Sequence, residues 1–137
     1  MNIQETLFVS VDIETTGLGK EAKILEIGAV KFYPFGMTIE HFDELVHPGI
    51  EIPETITAIH GITNEMVKDC PEIEQVLGKW LKFIGSVPLF AHNSPFDFRF
   101  LNRDIGTAGF TPLNNPIYDT LKLARTAFPK IKIGRAS

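Results

Sequence analysis

A segment near the N-terminus, TLFVSVDIE (residues 6–14), alternates between two sets of side chains. One set is aliphatic: Leu7, Val9, Val11 and Ile13. The other set begins with an aromatic ring and ends with two acids: Phe8, Ser10, Asp12 and Glu14. A period of two is typical of a β-strand with one face in a core. The segment therefore predicts a strand that buries its aliphatic side.

The order of the remaining elements defines the fold class. Further strands are predicted at 24–33, 38–47, 87–92 and 117–118. Helices are predicted at 53–60, at 63–69 with Thr63 as a cap, at 71–84, from Pro95 onward and at 120–127. The clearest of them, 71–84, has apolar residues at helical spacing, which predicts that Trp80 lies in the core. In the helix from Pro95, Phe96 and Phe100 are expected to pack together. Three strands followed by alternating helices and strands predict a mixed five-stranded α/β sheet, in which an antiparallel meander is continued by parallel strands with flanking helices.

Composition limits the class of protein. The 137 residues predict a single domain, 1–137, with 44% hydrophobic and 22% charged residues. One cysteine, Cys70, excludes a disulfide framework or a multi-cysteine zinc site. Because no apolar run approaches a membrane span and no signal peptide precedes the first strand, we expect a cytoplasmic protein without a membrane partner. A net charge of −4 argues against coating DNA through a basic face, but not against a nucleic-acid enzyme that uses metal ions.

Three acids are candidates for a metal site. Asp12 and Glu14 are two apart on the first strand, so both carboxylates project from one face about 6.5 Å apart along the chain. Asp97 follows the strand 87–92, in a crossover that can return to the first strand. The simpler alternatives are a solvated strand face for the pair and a helix-dipole interaction for Asp97. If the three converge, they form an all-oxygen site suited to Mg²⁺ or Mn²⁺, and two such ions are a standard device for phosphodiester cleavage.

Three motifs extend this hypothesis along the chain: VDIETTGL (11–18), IHGIT-x-EMV (59–67) and AHN-x-x-FD-x-x-FL (91–101). In order, spacing and flanking residues, including DTLKLAR (119–125), they resemble the DEDD-type 3′–5′ exonucleases, in the DEDDh branch that contains the proofreading (epsilon) subunits of bacterial DNA polymerase III. The resemblance covers nearly the whole chain. It implies a ribonuclease H-like fold.

The resemblance also implies roles for individual residues. Asp12, Glu14 and Asp97 would be catalytic acids that hold two divalent cations, Mg²⁺ or Mn²⁺. Thr15, Thr16, Gly17 and Leu18 would hold the 3′-terminal nucleotide, with Leu18 against its base, and His60, Asn93 and Phe96 would line the nucleotide pocket. The implied activity is release of nucleotides from 3′ ends of single-stranded DNA, with a DNA polymerase as a candidate partner.

The match stops before the family's last block, which supplies a histidine or tyrosine base and a fourth aspartate. Residues after Phe128 contain neither an acid nor a histidine. Asp119 is better interpreted as a helix cap than as the fourth acid. We therefore expect an exonuclease domain that is incomplete at its C-terminus and nearly inactive alone, because a positioned base contributes about 10²–10⁴ in rate.

Three alternatives remain open at this point. The first is an RNA-trimming relative of the same family. The second is a catalytically dead remnant that binds nucleic-acid ends or a polymerase, and the third is a protein whose site is completed by a second chain. The sequence does not define an oligomeric state.

Overall fold

The computed structural model describes residues 6–33 and 38–120, and its sheet begins with an antiparallel meander. Strand β1 spans Phe8–Thr15, β2 spans Ile24–Phe32 and β3 spans Thr38–Leu45. Within the first pair of strands Glu14 lies opposite Glu26, and the register shifts immediately after Glu14. The predicted meander is confirmed, with β1 beginning and ending slightly later than 6–14.

Two short parallel strands complete the sheet. Strand β4, Leu89–Ala91, pairs with β1, and β5, Ile117–Asp119, pairs with β4. The strand order is β3-β2-β1-β4-β5. The carboxyl ends of β1, β4 and β5 therefore meet at one edge of a mixed five-stranded sheet, as predicted.

The helices of the described ranges flank this sheet. They are α1 (Glu54–His60), α2 (Asn64–Val67), α3 (Ile73–Ile84) and α4 (Ser94–Thr107). Thr63 caps α2 as the sequence predicts, because its Oγ1 accepts the Met66 amide at 3.2 Å. The helix predicted at 120–127 lies outside the described residues beyond Thr120.

No helix within residues 6–33 and 38–120 is long and apolar enough to cross a bilayer.

The main core lies between the aliphatic face of the sheet and α3 and α4. Trp80 is fully buried there, in register with Leu77 and Ile84, so its predicted place in the core is confirmed. Each large apolar side chain buried in this way contributes roughly 1.5–3 kcal/mol. The members contributed by β1 are the aliphatic side chains of the alternating segment: Val9, Val11 and Ile13.

A second, smaller cluster joins α1 and α2 to the sheet. It contains Leu25 of β2 with Ile52, Ile62 and Val67, all buried. The amide of Gly61, at φ 79°, donates to the Thr57 carbonyl at 2.7 Å and ends α1. This packing holds the last residue of α1, His60, beside the carboxyl end of β1.

The other face of the sheet is divided into two regions. One region is a row of aromatic rings that runs across four strands, with centroid separations of 5.1–6.3 Å: Phe32, Phe8, Phe90 and Tyr118. The other, nearer the carboxyl end of β1, is acidic: Asp12, Glu14, Glu26 and Asp43. The alternation in β1 therefore separates an aliphatic core face from a face that ends in carboxylates.

Candidate active site

Strand β1 presents two of the predicted acids. Its aliphatic residues point into the core, so Asp12 and Glu14 project from the opposite face, with Asp12 exposed and Glu14 half-buried. The Ile13 amide donates a hydrogen bond to the Asp12 carboxylate. The two carboxylates reach solvent where the strand ends.

The crossover from β4 to α4 brings the third acid to the same edge. Ala91 of β4 pairs in parallel with Val11, one residue before Asp12. The chain then turns sharply at Asn93, a non-glycine residue in the left-handed region (φ 62°, ψ 55°), and α4 begins at Ser94. Asp97 lies in the first turn of α4 with only 5% of its surface exposed.

These elements enclose a cleft of about 450 Å³. Nine of the ten predicted site residues line it: Asp12, Glu14, Thr15, Gly17, Leu18, His60, Asn93, Phe96 and Asp97. They come from β1 and the loop after it, from α1, and from the start of α4. The structure thus gathers residues that are up to 85 positions apart in the sequence, Asp12 to Asp97, around one space.

Thr16 is the predicted site residue that does not line the cleft. Its side chain is buried, and its Oγ1 accepts the Lys23 amide at 2.9 Å, while its own amide donates to the Lys23 carbonyl at 2.8 Å. Thr16 therefore closes the turn between β1 and β2. Its neighbour Thr15 does line the cleft, and its hydroxyl donates to the Gly17 carbonyl at 2.6 Å.

His60 joins α1 to the end of β1. Its Nδ1 accepts the Ile62 amide at 3.1 Å, so the proton of the neutral ring is on Nε2, which lies 3.4 Å from the Thr15 carbonyl. Both ring nitrogens therefore face backbone groups. His60 therefore links α1 to the end of β1, and it lines the cleft.

Apolar side chains form the upper walls of the cleft. Leu18 and Ile59 are 64% and 67% exposed, and Ile56 lies one helical turn before Ile59 on the same face of α1. Phe96 also lines the cleft, and its ring packs edge-on against that of Phe100 at a centroid distance of 5.1 Å, as the sequence predicts. The two isoleucines were not among the predicted site residues. Their spacing of three on a short helix, next to His60, is the signal that could have found them.

The surroundings of Asp12 and Glu14 disfavour the ionised form of both carboxyl groups. Partial burial of its carboxylate raises the pKa of Asp12, while the hydrogen bond from the Ile13 amide and the charge of His92 lower it. The pKa of Glu14 is raised by burial and then by the charge of Asp12, while His60 lowers it. The site therefore concentrates negative charge that a bound cation would relieve.

Two further acids lie beside the cleft and were not predicted. Glu26 and Asp43 line a groove of about 430 Å³ on the sheet face that also contacts Asp12 and Glu14. The pKa of Glu26 is raised to about 7, first by burial, then by a hydrogen bond with Asp43 and by the charges of Asp43, Glu14 and Asp12. The acidic region thus extends from β1 across β2 to β3.

The donor set fits a hard divalent cation. Asp12, Glu14 and Asp97 offer only carboxylate oxygens, and partial burial of the carboxylates raises the pKa of Asp12 and of Glu14, with the charge of Asp12 adding to the rise at Glu14. Within residues 6–33 and 38–120, no three His, Cys, Asp or Glu side chains are positioned to hold a metal ion together. The acids line open space, which suits cations that keep water and substrate oxygens among their ligands.

Asp119 makes a contact that the sequence did not predict. It is the last residue of β5 and directly precedes the helical residue Thr120, and its Oδ1 accepts the Asn93 amide at 3.2 Å. Most of the helix that it was expected to cap lies outside the described residues. The observed bond ties β5 to the left-handed turn that precedes Asp97.

The fold and the site together define an α/β enzyme of the ribonuclease H-like class. A sequence model of the exonuclease family (RNase_T, Exonuclease) matches residues 9–133. The chain therefore belongs to the exonuclease family, and the resemblance to DEDD-type 3′–5′ exonucleases is confirmed.

Curated relatives agree with this assignment. The chain is 43% identical over 126 residues to DNA polymerase III PolC-type of Clostridium perfringens and 38% identical over 131 residues to that of Bacillus cereus. These matches cover 91% and 95% of this chain. The chain spans 9% of the length of each relative, so it corresponds to one domain-sized part of them.

Solved structures show the same fold. Exonuclease X in complex with 5′ overhanging duplex DNA superposes with a TM-score of 0.74 at 33% identity, covering 91% of this chain and 66% of that one. E. coli exonuclease I in complex with a dT13 oligonucleotide superposes with a TM-score of 0.76 at 18% identity, covering 92% of this chain and 31% of that one. The ribonuclease H-like fold predicted from the sequence is confirmed, and the chain is a hydrolytic exonuclease domain.

Proposed function

We propose that this exonuclease domain removes nucleotides from the 3′ ends of single-stranded DNA with the help of two divalent cations, Mg²⁺ or Mn²⁺. The observation that carries the proposal is the shared cleft of Asp12, Glu14 and Asp97 beneath apolar walls, in a chain of the exonuclease family. We propose residues 1–137 as a single domain.

The three carboxylates would hold the cations. Asp12 is exposed and lines the same cleft as Glu14 and Asp97, so the three side chains would supply the carboxylate ligands. When bound, the cations would promote water attack on the phosphodiester and stabilise the leaving oxygen. Without them, the clustered charge of the acids would repel a phosphate, so cation binding and substrate binding are expected to be coupled.

The rest of the cleft would hold the terminal nucleotide. Leu18 and Phe96 offer apolar surface to a nucleobase, and a single unpaired base has both faces free to accept such contacts. Thr15, Gly17, Asn93 and His60 also line the cleft and would contact the sugar and the phosphate. Thr16 would act by closing the turn that carries Leu18.

DNA is the proposed substrate because relatives with sequence identity above 30% are DNA enzymes by name: DNA polymerase III PolC-type and an exonuclease X solved with duplex DNA. The PolC-type relatives also support a DNA polymerase as the partner, and work beside a polymerase implies a cytoplasmic location in a bacterium.

A directional degradation assay tests this proposal. A 5′-labelled single-stranded oligonucleotide is incubated with the chain and Mn²⁺, and an RNA strand of the same sequence is run in parallel. Because the domain is expected to be nearly inactive alone, we expect a ladder of shortened labelled DNA products that forms slowly, and still slower loss of RNA. Asp12→Asn should reduce the ladder to background, whereas Glu51→Gln, which removes an equal charge from an exposed loop, should leave it unchanged. Immediate release of a labelled mononucleotide, or full activity of Asp12→Asn, would contradict the proposal.

A further inference from the structure

Two arginines one turn apart on α4 hold the loop that follows β1. Arg99 Nη2 donates to the Leu18 carbonyl at 2.8 Å. Arg103 Nη1 donates to the carbonyls of Lys20 at 3.0 Å and Ala22 at 2.7 Å. Both contacts join residues more than 80 positions apart. Together they fix the backbone of residues 18–22 against the helix that carries Asp97.

Arg99 differs from Arg103 in touching both walls of the cleft. Its guanidinium lies over the ring of Phe100 at 4.8 Å and near that of Phe96 at 5.8 Å, while its hydrogen bond holds Leu18. Leu18 and Phe96 both contribute apolar surface to the cleft. Arg99 therefore lies outside the cleft and connects the two residues, Leu18 and Phe96, that would contact a terminal base.

The loop that carries Leu18 needs a contact of this kind to hold it in place. Leu18 is 64% exposed, so it has no core contact that fixes it in place. It lies between Gly17 and Gly19, and a Cβ added at Gly19 would meet nothing within 4 Å. Because glycine has more backbone conformational freedom than other residues, a loop with glycine neighbours loses more conformational entropy when a ligand orders it. A contact that orders the loop beforehand lowers that cost.

We propose that Arg99 is a positioning residue that sets the distance between Leu18 and Phe96, and thereby the affinity of the cleft for a 3′-terminal nucleotide. This inference rests on the proposed function of the cleft. Arg99 acts through Leu18 and Phe96, and its stacking against the rings of Phe96 and Phe100 depends on a planar guanidinium. Lysine retains the charge but not the planar fork, so it should not replace arginine here.

The test compares Arg99→Gln and Arg99→Lys with Lys82→Gln, which removes a charge from an exposed position on α3, away from the cleft. Amide hydrogen exchange of residues 16–23 is measured without any ligand. The Kd for deoxythymidine 5′-monophosphate is measured with Mn²⁺, and KM and kcat are measured on a short oligothymidylate.

We expect both Arg99 variants to exchange at least about threefold faster in this loop than the control. Their Kd and KM should rise about three- to tenfold, with a smaller change in kcat, because the chemistry at the acids is untouched. Loop exchange and Kd equal to those of Lys82→Gln would overturn the inference. So would full function of Arg99→Lys beside loss in Arg99→Gln, because charge alone would then suffice, as in a direct phosphate contact.

Failure of the proposed function is distinguishable from failure of this inference. A wild-type chain that neither binds the nucleotide nor hydrolyses the oligonucleotide contradicts the proposed function. The exchange measurement then decides alone whether Arg99 orders the loop, since it requires no ligand.

Discussion

Glu26 and Asp43 lie on adjacent antiparallel strands and share a side-chain hydrogen bond on the acidic face of the sheet. Burial raises the pKa of Glu26 most, and this hydrogen bond and the neighbouring charges raise it further, to about 7. The pair therefore holds a proton near neutral pH. The three acids of the cleft therefore have two acidic neighbours, one of which, Glu26, changes its charge near neutral pH.

Glu26→Gln is expected to stabilise the protein at high pH. The folded pKa of about 7 exceeds the ordinary 4.5, so the folded state binds the extra proton and stability is lost as pH rises from 4.5 through 7. Because Glu26 is only half-buried, solvent screening reduces the effect to about 1 kcal/mol at pH 8. Urea unfolding in a chelator should show almost no difference from wild type at pH 4 and a clear gain at pH 8. A gain of equal size at both pH values would contradict the assignment, and Glu51→Gln is the matched control.

Divalent cations are expected to stabilise the folded chain through the cleft acids. At a cation concentration tenfold above its Kd, linkage gives about 1.4 kcal/mol, or a Tm increase of a few degrees. Asp12→Asn should be slightly more stable than wild type in a chelator, because it relieves repulsion with Glu14, and should lose the response to Mn²⁺. Thermal unfolding with and without Mn²⁺ checks both effects. An undiminished response in Asp12→Asn would place the cation elsewhere.

His60→Ala is expected to weaken nucleotide binding beyond its effect on stability. The change removes the hydrogen bond from the Ile62 amide and the contact with the Thr15 carbonyl, at a cost of about 1 kcal/mol. His47→Ala is the matched control, because His47 Nδ1 lies 3.1 Å from the Val67 carbonyl, away from the cleft. Equal losses of stability but a higher Kd for deoxythymidine 5′-monophosphate only in His60→Ala are the expected result. Parallel effects in the two variants would reduce His60 to a purely structural residue.

Two glycines are expected to respond to alanine in opposite directions. Gly61 has φ 79°, so Gly61→Ala forces a left-handed alanine at the end of α1 and should cost about 1 kcal/mol. Gly78 lies inside α3, where an added Cβ meets Phe110 at an ordinary 3.7 Å, so Gly78→Ala should gain about 0.5–1 kcal/mol. Chemical unfolding of both variants is the measurement. Destabilisation by Gly78→Ala would show that α3 and the Phe110 loop are packed more tightly than this distance indicates.

Much of the fold could be predicted because its signals are local. The alternation in β1 and the helical spacing around Trp80 both arise from burial of one face, which is visible in a short stretch of sequence. Thr63 was predicted as a cap for the same reason, since a capping hydroxyl acts within three residues. The limits of the elements were less accurate because helix and strand ends depend on what packs against them.

The acids of β2 and β3 could not be predicted in this way. Whether Glu26 lies opposite Glu14 depends on the pairing register, and the bulge after Glu14 shifts that register by a residue. Nothing in the local pattern around Asp43 distinguishes it from an exposed strand acid. The pair became visible only once β1, β2 and β3 were aligned.

By itself, the sequence determined the family, the mixed sheet and the acids expected to hold metal, because motif spacing and side-chain periodicity are properties of the chain. Tertiary structure alone decided that Thr16 faces the turn, that Ile59 faces the cleft and that Arg99 reaches Leu18. The reason is physical: these outcomes depend on contacts between distant segments, whose geometry is fixed by packing and hydrogen bonding after the chain has folded.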